Sequence, residues 1–359
     1  MIKPIAFYLP QFHPIPENDE WWGKGFTEWT NVTKARPLFE GHWQPRLPAD
    51  LGFYDLRVEE TRIAQAELAK SHGIYGFAYW HYWFGNGKQI LERPIEEVVA
   101  SGKPDFPFCL AWANQTWSGT WHGLSNKKVL IEQKYPGEQD FKNHFYKILP
   151  ILKDKRYIQI NGKTLFMIFR VHEIPDLGYF TSLWQQLALE NGLPEFHFTA
   201  IHDNEDELLN KGIHAFIQKQ PDLHLLSKRQ TFMDKFDFKI KQIFGIPQKK
   251  VFDKVDFSTY VERYPQYILK ANEYPMVYPD WDNSPRSGRD GWMFINSNPQ
   301  LFAQVIRKAI DIIKHQAQNK DRVLIIKSWN EWAEGNYLEP DMVNGKKYLE
   351  VLKTKLIDN

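Results

Sequence analysis

The sequence predicts an α/β protein with a (β/α)8 TIM-barrel fold, in a single domain over residues 1–359. It also predicts a long loop after the first strand and an insertion at 221–274, between strands six and seven. Three observations support this: short apolar runs recur along the chain, helix-forming segments alternate with them, and no linker or internal repeat divides the 359 residues. A hydrophobic content of 43% allows one large core. A doubly wound open sheet is the alternative.

The predicted strands are short and mostly apolar, which is typical of parallel strands covered on both faces. They span residues 5–9, 76–83, 108–112, 165–170, 197–201, 215–218, 276–278 and 324–328. Helices are predicted at 57–71, 140–152, 180–191 and 346–357. Asn298 and Pro299 predict the start of a further helix, because asparagine caps helices and proline suits their first turn. Two segments break the alternation: 10–53, which we expect to be ordered but irregular, and the charged insertion at 221–274, which we expect to carry helices of its own.

Composition and charge exclude several classes of protein. The formal net charge is +1, so no overall field attracts nucleic acid or an anionic membrane. No apolar run reaches the length of a membrane span. Cys109 is the only cysteine, which excludes an internal disulfide and fits a reducing compartment. The first residues lack the pattern of a secretory signal, so a cytoplasmic location is expected.

Tryptophans follow the predicted strands. Thirteen of the fourteen end or follow a strand: Trp21, Trp22, Trp29, Trp43, Trp80, Trp83, Trp112, Trp117, Trp121, Trp281, Trp292, Trp329 and Trp332. Trp184 alone falls on a predicted outer helix. Barrel enzymes place their active sites at the C-terminal ends of the strands. We interpret the set as aromatic platforms for sugar rings, with an aromatic-rich core as the alternative.

Glu331 and Glu334 are the predicted catalytic pair. They follow the last strand and lie between tryptophans, in the run Trp329-Asn330-Glu331-Trp332-Ala333-Glu334. Cleavage of a glycosidic bond needs an acid at the leaving oxygen and a second carboxylate. Apolar neighbours raise the pKa of a carboxyl group, which keeps it protonated near neutral pH. The spacing alone is also compatible with an exposed acidic turn.

Polar and aromatic side chains at the other strand ends are the predicted substrate-binding residues. They are Tyr8, His13, Glu28, Trp29, Trp80, His81, Trp112, Asn114, Gln115, Trp117, Trp281, Asp282, Arg286, Asn330 and Trp332. A structural role for His13 is equally compatible with the sequence. Asp280 and Asp282 have the spacing of a metal and nucleotide-sugar motif, but we expect them to form hydrogen bonds and predict neither a metal nor a cofactor. The sequence also lacks the common zinc, serine-hydrolase and dinucleotide motifs.

Longer motifs resemble the WbsX-like family, found in bacterial surface-polysaccharide loci and commonly labelled glycosyltransferases. The motifs lie at 6–13, 22–32, 41–45, 51–55, 113–114, 281–283 and 330–335. That family is in turn similar to glycoside hydrolase family 99, the endo-α-mannosidases, which are (β/α)8 barrels. Ala333 departs from the hydrolases, which have histidine there, and Gln115 stands where many relatives have an acid.

The resemblance implies a role for each glutamate. Glu331 is similar to the residue that acts on the sugar 2-hydroxyl, and Glu334 is similar to the general acid/base at the leaving oxygen. The implied reaction retains configuration through a 1,2-anhydro sugar.

Three hypotheses follow. The first is a retaining α-glycosidase or transglycosylase, endo-α-mannosidase-like, that acts on an oligo- or polysaccharide of the bacterial surface. The second is a glycosyltransferase in O-antigen or capsule lipopolysaccharide biosynthesis, which an apparently cytoplasmic chain favours and the missing nucleotide motif opposes. The third is a non-catalytic sugar-binding barrel.

Overall fold

The computed structural model describes residues 2–119, 129–219, 221, 253–316 and 321–358. Its main sheet has eleven strands, of which nine are parallel and form the barrel. They are β1 (Ile2–Tyr8), β2 (Gly76–Trp83), β3 (Phe108–Trp112), β4 (Lys163–Ile168), β5 (Phe196–Ile201), β6 (Ala215–Ile217), β7 (Glu273–Tyr274), β8 (Met276–Val277) and β9 (Arg322–Ile326). All eight predicted strands are present within a few residues of their predicted bounds.

The sheet closes into a barrel. β1 pairs with both β2 and β9, and the remaining strands follow in chain order. β7 and β8 lie on either side of Pro275 and share the seventh of eight positions: β7 pairs with β6 and β8 pairs with β9. The carbonyl of Pro275 accepts a hydrogen bond from the Ile325 amide at 3.0 Å, which continues the ladder across the break. The predicted barrel is confirmed, and the open sheet is excluded.

Ten α-helices accompany the strands in the part of the chain that the structure describes. They are α1 (Pro16–Trp22), α2 (Glu28–Lys34), α3 (Glu59–Ser71), α4 (Arg93–Ser101), α5 (Glu138–Leu152), α6 (Leu177–Glu190), α7 (Phe257–Arg263), α8 (Ser284–Ser287), α9 (Pro299–His315) and α10 (Lys347–Ile357). After β5 the connection is a 3-10 helix, Asp206–Lys211, in place of an α-helix. The start of α9 is as predicted, since the Asn298 side chain accepts a hydrogen bond from the Leu301 amide at 2.9 Å.

The long segment after β1 is more regular than predicted, because it contains α1 and α2. Thr27 begins α2 with a reciprocal capping arrangement that includes Thr30, and Pro16 occupies the first turn of α1. In the predicted insertion, residues 253–256 pair in parallel with 292–295, and α7 follows directly. Residues 222–252 lie outside the described residues, as does Trp121. Within the described ranges, no helix combines the length and apolar character needed to cross a membrane.

Candidate active site

Glu331 and Glu334 lie on a tight turn that follows β9. Glu331 belongs to a short hairpin, and Glu334 ends the 3-10 helix Trp332–Glu334. The next residue, Gly335, has a φ of +58°, and a Cβ atom there would lie 2.8 Å from the Asp282 backbone nitrogen. The amide of Asp282 donates to the Glu334 carbonyl at 2.6 Å. Close packing against residue 282 therefore requires glycine after the second glutamate.

Arg286 and Lys327 connect these two carboxylates. Nη1 of Arg286 lies 2.7 Å from Oε1 of Glu334 and 3.3 Å from Oε1 of Glu331. Nζ of Lys327 lies 3.1 Å from the other oxygen of Glu331. Since one guanidinium nitrogen contacts both carboxyl groups, the two glutamates face the same small volume. Glu331 is bound by two cations and Glu334 by one.

The two glutamates therefore differ in acidity. Burial and the nearby charge of Glu331 outweigh the opposing charge of Arg286 and raise the pKa of Glu334 to about 7. Burial also acts on Glu331, but the charges of Lys327 and Arg286 outweigh it and hold the pKa of Glu331 below its ordinary value. Near neutral pH the pair thus contains one proton donor and one carboxylate, the division of roles that glycosidic chemistry needs.

Glu28 holds both Arg286 and the turn that carries the two glutamates. Its side chain is fully buried, and Oε1 accepts from Nη2 of Arg286 at 2.7 Å and from the Ala333 amide at 2.9 Å. Ala333 lies between the two glutamates, so one carboxylate oxygen holds both the arginine and the turn. Burial raises the pKa of Glu28 and the charge of Arg286 opposes that rise.

The pair opens into a cleft with a volume of about 450 Å³, a size typical of small-molecule sites. Seven of the predicted site residues line it: Trp80, Gln115, Trp117, Trp281, Arg286, Glu331 and Glu334. The structure therefore brings residues from the ends of β2, β3, β8 and β9 together, as a barrel does.

Several predicted substrate-binding residues point away from the cleft because side chains alternate along a strand. Trp80 lines the cleft, whereas its neighbour His81 faces outward, with Nε2 2.7 Å from Nε2 of His144 on α5. Trp112, next to His81 in the strand register, donates its indole N–H to the Trp83 carbonyl at 2.9 Å. Tyr8 faces outward in the same way and donates to Gln65 on α3 at 2.7 Å.

Other predicted residues hold the loops in place. Asn330 bonds both the amide and the carbonyl of Leu9, at 2.7 and 3.0 Å. Asn114 bonds the amide and the carbonyl of Arg170, both at 2.8 Å. These side chains join neighbouring strand ends, which is a structural use of the amides that we predicted to bind sugar hydroxyls.

Trp29 and Trp332 also lie outside the cleft lining. They pack on each other with ring centroids 5.4 Å apart, and each donates its indole N–H within the protein, to the carbonyl of Tyr54 at 2.9 Å and to the carboxylate of Glu339 at 2.6 Å. His13 is buried away from the cleft, and its burial lowers its pKa to about 4. The six tryptophans that we predicted to bind substrate thus divide into three that line the cleft and three that belong to the core.

Asp280 and Asp282 bind protein cations and donors. Asp280 lies 2.6 Å from Nη1 of Arg46, and Oδ2 of Asp282 lies 2.9 Å from His42 and 2.7 Å from the Gln44 amide. Within the described ranges, no group of three His, Cys, Asp or Glu side chains has a metal-binding arrangement.

The sequence prediction missed several residues that line the cleft. Lys327 follows β9, Phe169 and Arg170 follow β4, and Tyr82 lies on β2, two positions from the predicted Trp80 and therefore on the same face of the strand. The sequence pattern could have identified two of these residues. Lys327 and Arg170 are charged residues at the ends of otherwise apolar runs, and such a residue at the C-terminal end of a barrel strand belongs in the site region.

Comparison with known proteins identifies relatives along the whole chain. The family model described as "Glycosyltransferase WbsX" matches residues 4–352. The uncharacterized protein WxcX of Xanthomonas campestris pv. campestris strain B100 is 36% identical over 360 residues, which cover 98% of this chain and 49% of that protein. WxcX of strain ATCC 33913 gives the same figures. The chain thus spans about half the length of the curated relatives it matches.

Two solved structures share the fold. A "Glycoside hydrolase-like protein" superposes with a TM-score of 0.60 at 15% identity, covering 99% of this chain and 93% of that one. The GH99 endo-alpha-mannosidase from Bacteroides thetaiotaomicron, in complex with BIS-TRIS-propane, superposes with a TM-score of 0.54 at 14% identity, covering 100% and 98%. At these identities the likeness shows the fold alone.

Proposed function

This chain belongs to the family described as Glycosyltransferase WbsX, and from that premise we propose that it is a retaining α-glycosidase or transglycosylase acting on mannose-configured sugars of a bacterial surface polysaccharide. The observation that carries the proposal is the pair of buried glutamates, one with a pKa of about 7 and one with a lowered pKa, at the cleft. A sugar-binding protein without activity does not need two carboxyl groups in opposite protonation states.

The proposed reaction has two steps. In the first, the Glu331 carboxylate accepts the proton of the sugar 2-hydroxyl as O2 attacks C1. The bond from C1 to the leaving oxygen breaks, and Glu334 donates its proton to that oxygen, which leaves a 1,2-anhydro sugar. In the second, Glu334 takes a proton from water or from a sugar hydroxyl as its oxygen attacks C1, the bond from C1 to O2 breaks, and Glu331 returns its proton to O2. Two inversions at C1 retain the configuration.

The cleft walls support a saccharide as substrate. Trp80, Trp117 and Trp281 present aromatic surface to the cleft, and aromatic rings suit the apolar faces of sugars. Gln115 and Asn283 add amide groups able to bond hydroxyls. The GH99 neighbour's description as an endo-alpha-mannosidase supports mannose configuration as the first choice of substrate.

Defined α-manno-oligosaccharides test the proposal. Products are identified by mass and their anomeric configuration by NMR, with Glu331→Gln and Glu334→Gln as controls for contaminating activity. We expect shortened or transferred oligosaccharides with retained configuration from the unchanged protein. Inverted products, or no turnover of any α-mannoside, would contradict the proposal.

A second candidate, transfer from an activated donor during O-antigen or capsule assembly, is favoured by the name of the family. The same assay distinguishes it when nucleotide sugars are added. A product that forms only with a nucleotide sugar, accompanied by release of the nucleotide, would support the transferase.

A further inference from the structure

We propose that Arg170 forms a subsite for a negatively charged group, a carboxylate or a phosphate, carried by the saccharide substrate. This inference rests on the proposed function, because it names the chemical class of sugar that the cleft selects. Arg170 lines the cleft, and its side chain is exposed to solvent. It lies two residues beyond the end of β4.

The first argument is the distribution of charge among the cations of the cleft. Lys327 pairs with Glu331, and Arg286 pairs with Glu28, Glu331 and Glu334. Across the ranges that the structure describes, Arg170 has no such ion pair. The charge of Asp203 acts on Arg170 from a distance, but the carboxylates of Asp203 and Glu205 lie closer to His172, at 3.9 and 3.6 Å from its Nε2, and form no ion pair with Arg170. Arg170 therefore remains as the cation of the cleft available to a ligand.

The second argument is that this cation is held in position. The Arg170 backbone is tied at both its amide and its carbonyl to the Asn114 side chain, each at 2.8 Å. The guanidinium carbon lies 4.6 Å from the centre of the Phe169 ring, an orientation that cation–π attraction stabilises. The Phe169 ring in turn contacts Trp80 at a centroid distance of 5.9 Å. A preorganised cation loses less entropy when it binds a charged group.

The third argument is position in the ring. β4 and β9 occupy the fourth and eighth of eight positions, so they lie on opposite sides of the barrel. Arg170 follows β4, and the two glutamates follow β9. A charged group at Arg170 consequently lies across the cleft from the bond that reacts, on the far side of the same sugar or on its neighbour. The fork of guanidinium N–H groups matches carboxylate and phosphate oxygens.

Binding of matched disaccharides tests this subsite. The probes are an α-mannosyl disaccharide, the same disaccharide with a C6 carboxylate, and the same with a phosphate on O6; GDP represents a nucleotide phosphate. Titration calorimetry at low salt should show the charged disaccharides binding about 10- to 100-fold more tightly than the neutral one, the usual worth of a hydrogen bond to a charged group. Added salt should reduce this preference, because Arg170 is exposed.

Three variants make the test specific. Arg170→Gln should bring the affinity ratio of charged to neutral disaccharide close to one, and Arg170→Lys should retain part of it. Lys353 is an exposed lysine of α10, so Lys353→Gln removes one positive charge away from the cleft. This variant should keep the full affinity ratio of charged to neutral disaccharide. We expect Arg170→Gln to fold, because the hydrogen bonds to Asn114 involve only the backbone of residue 170. Thermal unfolding checks this.

Equal affinity for neutral and charged disaccharides, or a preference that survives Arg170→Gln, would overturn the subsite even if neutral α-mannosides are turned over. Arg170-dependent binding of GDP alone would also overturn it, because the anion would then belong to a nucleotide. Arg170-dependent preference for the acidic disaccharide without turnover would support the subsite and count against the proposed function. Failure of every saccharide to bind would overturn both.

Discussion

Glu331 and Glu334 are three positions apart in the sequence, yet their surroundings shift their pKa values in opposite directions. Two cations contact Glu331, whereas Glu334 contacts one and also senses the charge of Glu331. Residue identity alone does not determine which glutamate is the acid. The charged groups that contact the carboxylate oxygens determine it. Substitution of each glutamate therefore tests the proposed acid role and the proposed base role separately.

Glu334→Gln should lower the rate on a sugar with an alcohol leaving group by roughly 10²–10⁴-fold, the usual contribution of a positioned proton donor. Fluoride or nitrophenol leaves with little protonation, so substrates that carry these groups should recover most of the loss. Steady-state rates on matched substrates measure both effects. A similar loss with every leaving group would show that Glu334 is not the acid.

Glu331→Gln should respond differently, because assistance to the 2-hydroxyl is needed whatever group leaves. We expect a loss of activity that good leaving groups do not restore. A 2-deoxy or 2-O-methyl substrate should also be inert with the unchanged protein. Turnover of the 2-deoxy sugar at the normal rate would contradict the proposed route.

Activity should survive a strong chelator such as EDTA. The carboxylates of Asp280 and Asp282 already accept hydrogen bonds from Arg46, His42 and Gln44. The measurement is turnover before and after dialysis against the chelator. Loss of activity followed by recovery with Mn²⁺ or Mg²⁺ would instead favour the transferase.

At the scale of elements, the turn after β9 is positioned by contacts from distant parts of the chain. Glu28, at the start of α2, holds Arg286 and the Ala333 amide. Glu339 accepts hydrogen bonds from Trp332, Tyr54 and Gln65, which ties the turn to α3 and to the segment before it. The first long loop thus supports the turn that carries Glu331 and Glu334.

Glu28→Gln should shift the pH profile of kcat/KM. Burial, the Glu331 charge and, to a smaller extent, the Glu28 charge together raise the pKa of Glu334 to about 7. A general acid must be protonated, so activity should fall as the pH rises through about 7. Without the Glu28 charge the pKa of Glu334 drops, and the fall should begin at lower pH.

Two further variants test the direction of this shift in the pH profile. The Lys327 charge lowers the pKa of Glu334, so Lys327→Gln should move the fall to higher pH. Glu20→Gln, an exposed carboxylate of α1, should leave the profile in place. A loss of activity in Glu28→Gln without any shift of the profile would indicate a purely structural role for Glu28.

At the scale of the whole molecule, buried histidines make the fold sensitive to acid. His81 and His144 meet between β2 and α5 at 2.7 Å. Burial, with a smaller effect of the Lys147 charge, lowers the pKa of His81 to about 3, and burial beside His81 lowers that of His144. In the unfolded chain both protonate near pH 6.5. Below that pH, protons therefore bind preferentially to the unfolded chain.

The free energy of unfolding should consequently fall as the pH decreases from about 6.5 towards 3, by about 1.4 kcal/mol per pH unit for each such histidine. His144→Phe should reduce the slope of the free energy of unfolding against pH by the contribution of one histidine, about 1.4 kcal/mol per pH unit. His315→Gln, in an exposed position on α9, should keep the original slope. Urea unfolding between pH 5 and pH 7 measures all three. An unchanged slope in His144→Phe would contradict the argument.

The sequence by itself determined the architecture. Strand and helix signals are local, since they depend on apolar periodicity and on caps such as Asn298, and each of the eight predicted strands is found. Position in the barrel follows from chain order, so the sequence also predicted that Glu331, Glu334, Trp80, Trp117 and Trp281 would meet at one end.

Only the tertiary structure decided which side chains enter the cleft. Side chains alternate along a strand, but the packing of the strand in the barrel decides which set faces the cleft, and so Trp80 lines the cleft while His81 and Trp112 face outward. Pairing between adjacent strand ends decided the electrostatics, because Arg286 follows β8 and Glu28 follows β1, which flank β9 in the barrel but are far apart in the chain. Their contacts depend on distances of a few ångströms between those segments, which a linear pattern of residues does not contain.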